Sequence, residues 1–81
     1  MVKDKYKIQK GDILFEYSNS YKRIFEWEII DIWIEKYIGG AKTIFKCRTK
    51  FNDIFLTKEF FSSDIINMYE SKEDAEMRKG E

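Results

Sequence analysis

Residues 24–48 read IFEWEIIDIWIEKYIGGAKTIFKCR, and the alternation inside this stretch decides the fold. Phe25, Trp27 and Ile29 alternate with Glu26 and Glu28, the period-2 signature of a half-buried strand. From Ile30 onward the phase reverses: Ile30, Ile32 and Ile34 are apolar, while Asp31, Trp33 and Glu35 hold the other parity. One extra residue has entered the pattern near Ile29-Ile30. That is the sequence mark of a β-bulge, which lets a long strand bend as strands of small closed barrels do.

Trp27, Ile30 and Ile34 also fall at helical spacing, so a helix competes for the same residues. It loses because β-branched and aromatic residues dominate, no N-cap residue precedes the run and Gly39-Gly40 closes it. With Gly39-Gly40 as a two-residue hairpin loop, partner numbers across the hairpin sum to 79. This register pairs Ile34 with Phe45, Ile32 with Cys47 and Ile30 with Thr49 on one face, and Trp33 with Lys46 and Asp31 with Arg48 on the other. Apolar then meets apolar on one side and acid meets base on the other.

Working outward, residues 1–10 read as a loose basic lead-in that Tyr6 and Ile8 could pin. Gly11-Asp12 is a turn signal before a first strand at 13–17, and Ser18-Asn19-Ser20 is a polar loop before a second strand at 21–37. Asn52-Asp53 announces another turn, followed by a fourth strand at 54–60. Residues 62–64 suit a short turn or 3₁₀ segment, and 65–69 a short fifth strand. Ser71 with Asp74 resembles a capping box opening a helix at 72–79, which Gly80 could stop. Only Ala75 and Met77 are apolar there, so the helix should dock weakly. The expected fold is a single domain over 1–81, mainly β. Residues 11–69 form a strongly bent five-stranded antiparallel sheet of SH3-like small-barrel type, and 71–79 form a short C-terminal helix.

At 81 residues the chain is near the size where burial only just offsets conformational entropy, so its 17% aromatic content must supply much of the core. Cys47 is the only cysteine, which excludes an intramolecular disulfide and points to a reducing, cytoplasmic setting. No apolar run approaches a membrane span, and residues 1–10 lack the apolar core of a signal peptide. Fifteen Lys+Arg balance fifteen Asp+Glu, whereas dedicated nucleic-acid binders carry a basic excess.

Catalysis is argued against by the absence of His, the commonest general base, and by the position of Cys47 on the predicted core face. Glu26 and Glu28 share a strand face but have basic neighbours and no companion ligands, so neither a metal site nor a cofactor is expected. The candidate binding residues lie elsewhere. Lys42, Lys46, Arg48 and Lys50 share one strand parity, with Trp33 beside them, an arrangement with which small barrels hold single-stranded nucleic acid. Cross-strand pairing with Asp31 and Glu35 would instead neutralise the stripe. Phe60 and Phe61 must point to opposite faces, so one of them can form an exposed contact patch for a protein partner.

The order GDILFEY, EWEIIDIWIEK, FFSSDI and NMYESKEDAE resembles a group of small, barrel-like β proteins of Gram-positive bacteria and their phages. In that group the β domain ends in an aromatic residue followed by a helix start, here Tyr69 to Glu76. The resemblance brings no catalytic residues. It implies a compact binding domain, and by analogy a phage-encoded inhibitor of a host defence complex, such as an anti-CRISPR protein. The leading expectation is therefore a non-enzymatic protein-interaction module whose partner is a host protein or ribonucleoprotein complex. Homodimerisation through exposed sheet edges is also expected to be open to it. The alternative is a nucleic-acid-binding barrel that uses the Trp33 face.

Overall fold

The computed structural model describes residues 7–79. Four antiparallel strands, β1 (Ile13–Ser18), β2 (Arg23–Tyr37), β3 (Gly40–Phe51) and β4 (Ile54–Phe61), form one sheet in the order β1-β2-β3-β4. Two short helices follow, α1 (Ser62–Ile65) and α2 (Lys72–Lys79). Residues 1–6 of the basic lead-in and Gly80 lie outside the described residues. From residue 7 the lead-in is tied down. Ile8 packs against the core, and the Gln9 N–H donates to the Asp12 carboxylate at 2.8 Å while the Asp12 N–H returns to the Gln9 carbonyl.

The phase reversal in β2 is a bulge. The register with β3 shifts between Ile29 and Asp31, leaving Ile30 as the extra residue. Because of that residue, Trp27 and Ile29 before the bulge and Ile32 after it all belong to one face of the sheet, opposite the odd-numbered residues of β3. No helix forms over residues 24–37.

The hairpin register differs from the one expected. The loop is Ile38-Gly39, closed by Tyr37 opposite Gly40, and Gly39 takes φ 95°, which an L side chain resists. Moving the loop by one residue lowers the partner sum from 79 to 77, and the bulge lowers it to 76 from Ile29 backward. Each expected pair is thus replaced: Ile34 faces Thr43, Ile32 faces Phe45, Trp33 faces Ile44 and Asp31 faces Lys46, while Ile30, expected opposite Thr49, is the extra residue of the bulge and has no partner in the β3 ladder. Both 79 and 77 are odd, so residues keep their faces although their partners change. The β3–β4 turn has two residues, Asn52 and Asp53, at φ 50° and 65°, the left-handed pair whose twist suits a tight hairpin.

The fifth strand does not form. Residues 62–68 coil instead: the Asp64 carboxylate accepts the Phe61 N–H at 3.0 Å, and the Ile66 and Met68 N–H groups bond to the carbonyls of Ser62 and Ile65. Ile65 and Met68 are both fully buried, and three-residue spacing brings them to one side only in a helical conformation. What survives of the expected strand is a single bridge, in which Phe15 and Tyr69 exchange two backbone hydrogen bonds of 2.8 Å. The described residues therefore make a four-stranded sheet joined at one point, in place of the five-stranded barrel expected.

The core lies on the inner face of the sheet. Leu14, Trp27, Ile29, Phe45, Cys47 and Phe60 meet Ile65 and Met68, with Ile8, Phe25 and Ile32 packed at the margin. Trp27 and Phe60 stack edge to face at 4.9 Å, and the Trp27 indole N–H donates to Glu16 at 3.1 Å. At α2 the Asp74 N–H donates to the Ser71 hydroxyl, the helix-capping half of the expected box. Ala75 is buried and Met77 is exposed, so among the helix side chains that are described one small residue docks against β1 and β2.

Candidate functional site

The predicted basic stripe lies on the outer face, where three of its four charges meet a carboxylate. Lys42 pairs with Glu35 at 3.7 Å, and Glu35 also receives the Trp33 indole N–H at 3.4 Å. Arg48 reaches Glu28 at 2.7 Å, a charge-assisted bond across the β2–β3 ladder. Lys50 pairs with Asp53 in the adjoining turn at 3.8 Å, an exposed contact worth little. Lys46 stands between Asp31 of β2 and Glu59 of β4 in the two ladders. Neutralisation therefore comes through the expected Glu35 and also through Glu28 and Asp53, while Asp31, cross-strand from Lys46 in the shifted register, makes no ion pair among the described residues.

The rings of the predicted site separate. Phe61 stays on the outer face, about half exposed, with the Lys42 ammonium 4.8 Å from its ring centre. Trp33, Ile44 and Phe61 lie in one line across three strands, and Ile44 between them is 2% exposed. Trp33, Lys42 and Phe61 are thus brought together around a buried aliphatic residue, whereas Arg48 lies beside Phe55 at 5.1 Å and Lys50 sits at the turn. Phe60 is 2% exposed in the core, which removes it from any contact surface. Strand parity sends it inward, where it meets Trp27.

The sequence reading missed a second feature, on the inner face beyond the reach of the helices. Tyr21, Phe25 and Phe51 form an open aromatic cup with centroid separations of 5.6, 5.8 and 6.1 Å. The Arg23 guanidinium lies over two of these rings, 5.3 Å from Phe25 and 4.8 Å from Phe51. Trp27, Thr49 and Leu56 add to the walls, Glu16 and Lys58 supply one charge of each sign, and the cavity holds about 340 Å³. Tyr21, Arg23, Phe25 and Trp27 share one parity in the sequence, which signals part of this cup. Phe51 joins only because the tight β3–β4 turn and the ladders return it beside them.

The cysteine does not line the cup. Cys47 is buried beneath the sheet face, its Sγ directed at the Phe45 carbonyl, and burial pushes its thiol from 9.0 up to about 12. It stays protonated at neutral pH, the opposite of an activated thiol. Among the described residues no three Asp, Glu, His or Cys side chains gather as metal ligands, and no helix is long and apolar enough to cross a membrane.

No family model, curated protein or solved structure matches the chain.

Proposed function

We propose that this chain is a non-enzymatic protein-interaction module that seats an apolar side chain of its partner in the aromatic cup. The observation that carries the reading is the solvent-open cluster of Tyr21, Phe25 and Phe51 under the Arg23 guanidinium. Soluble domains seldom leave rings clustered in water without a contact to make, and rings beside an arginine are the usual anchors of protein interfaces. Glu16 and Lys58 at the cup then orient the incoming segment through its polar groups.

The proposal extends to biology through the resemblance in sequence: a phage-encoded inhibitor of the anti-CRISPR kind, acting in the host cytoplasm by occupying a surface of a defence complex. It also extends to architecture. The β meander, the helical turn and the return of Tyr69 to Phe15 support a reading as an SH3-like barrel whose last strand is shortened to one bridge.

The test is capture of host proteins from bacterial lysate by the parent chain, by Phe51→Ala and by the outer-face variant Trp33→Ala. Specific capture that Phe51→Ala abolishes and Trp33→Ala spares supports the cup. Capture that survives in Phe51→Ala, or substrate turnover above background, defeats the reading. The nucleic-acid alternative keeps one supporting observation, since no carboxylate lies within ion-pair distance of Lys46 among the described residues. Fluorescence anisotropy with single-stranded RNA and DNA decides it: binding that falls steeply with salt and is lost in Lys46→Glu would favour the Trp33 face.

A further inference from the structure

We propose that a second copy of this chain pairs with the free edge of β4, antiparallel, in the register that sets Thr57 opposite Thr57 of the second copy. The two edges of the sheet are unlike. Along β1, Tyr69 takes both backbone groups of Phe15 and α2 packs against the strand. β4 is the last strand in the order, and Ile54, Phe55 and Leu56 are 61%, 61% and 46% exposed. A long apolar edge with unpaired backbone groups is a template for another strand.

The register follows from which backbone groups are free. In a two-residue hairpin the closing pair, Phe51 and Ile54, is hydrogen-bonded, and bonding alternates from there. Residues 54, 56, 58 and 60 therefore direct N–H and C=O toward β3, while 55, 57, 59 and 61 direct theirs outward. The outward N–H of Phe61 is already taken by the Asp64 carboxylate. Among the described residues, that leaves Phe55, Thr57 and Glu59 as the open edge.

A symmetric antiparallel pair keeps like faces together, so partner numbers must have an even sum. Centring on Lys58 would set Lys58 against Lys58 and call on the occupied Phe61 N–H. Centring on Leu56 would send Glu59 to Asp53 in the turn of the second copy. Only centring on Thr57 uses all three open residues, with Phe55 opposite Glu59 of the second copy and no like charges opposed. The Arg48 guanidinium, 5.1 Å from the Phe55 ring centre, then has that carboxylate as a neighbour on the outer face. On the inner face Lys58 lies opposite Leu56 of the second copy. Both residues line the cup, so the two cups become one groove across the two-fold axis.

Sedimentation and cysteine cross-linking test this. The mass of the parent should rise toward twice the monomer value with concentration, because a single-strand interface is smaller than that of a stable obligate dimer. Thr57→Pro removes an outward N–H that the isolated monomer does not use, so it should keep the parent's circular dichroism and stay monomeric. Thr57→Cys should form a disulfide-linked dimer under mild oxidation, since opposed hydrogen-bonded residues stand at a Cα separation a disulfide spans. Phe55→Cys should cross-link to Glu59→Cys in a mixture but not to itself. Cys47 is fully buried and should not compete. A parent that remains monomeric while Thr57→Cys oxidises no faster than Phe55→Cys overturns the proposal, even if Thr57→Pro fails to fold. A monomeric parent whose capture of a foreign protein is lost in Thr57→Pro also overturns it, since the edge then serves another chain's strand. The cup is probed by Phe51→Ala, so its success or failure reads separately.

Discussion

Replacing Trp27 should remove a large part of the stability of this domain. The indole is 6% exposed, stands edge to face with Phe60 at 4.9 Å, lies 6.3 Å from the Phe25 ring and donates to Glu16 at 3.1 Å. Trp27→Ala should cost about 3–5 kcal/mol, the range for deleting a buried large ring and leaving a cavity. A domain of 81 residues has a total stability of roughly 4–12 kcal/mol at about 0.05–0.15 kcal/mol per residue, so the variant should be near the edge of folding. Trp27→Phe keeps a ring for Phe60 to pack on and loses the N–H donor and one ring, about 1–2 kcal/mol. Glu16 is partly solvated, so its carboxylate regains water at little cost. Urea unfolding followed by far-UV circular dichroism gives both values, and Trp33 on the outer face remains as a second fluorescence probe. A Trp27→Ala cost below about 1 kcal/mol would refute the placement of the core on this face. Equal costs for Phe and Ala would refute the division between ring packing and the indole contacts.

Asp53 holds φ 65° in the two-residue β3–β4 turn, where Asn-Gly is the favoured pair. Asp53→Gly should stabilise by about 0.5 kcal/mol and raise Tm by about 2–4 °C in a thermal melt, since the exposed ion pair to Lys50 contributes almost nothing; a lower Tm would contradict the turn geometry. Cys47, raised to about 12 by burial against 9.0 when unfolded, should resist maleimide at pH 8 until denaturant is added. The sign of its pH effect follows from the protons bound. Between pH 9 and 12 the unfolded thiol has lost its proton and the folded one keeps it, so this stabilisation is intact below 9 and is lost as pH rises toward 12. Stability of the parent relative to Cys47→Val, measured by urea unfolding, should therefore decline across that window, and a flat difference would contradict the burial.

What the sequence determined by itself is local and periodic. Alternation at Phe25, Trp27 and Ile29, its reversal at Ile30, and the turn residues at Gly39 and Asn52-Asp53 specify strands, a bulge and hairpins because strand period and turn dihedrals depend on near neighbours. The faces of Trp33, Lys42, Lys46 and Arg48 were legible for the same reason, since parity survives a two-residue change of partner sum. Only the tertiary structure decided which residues meet. The hairpin register turned on whether Gly39 takes the first or the second loop position, a one-residue choice on which both readings keep apolar and charged faces matched. Residues 65–69 carry too short a pattern to separate strand from helix, and burying Ile65 and Met68 on one side chose the helical turn. The cup was invisible for a related reason. Phe51 lies 26 residues from Phe25 in the chain, and two ladders and a tight turn are needed to set their rings 5.8 Å apart beneath one arginine.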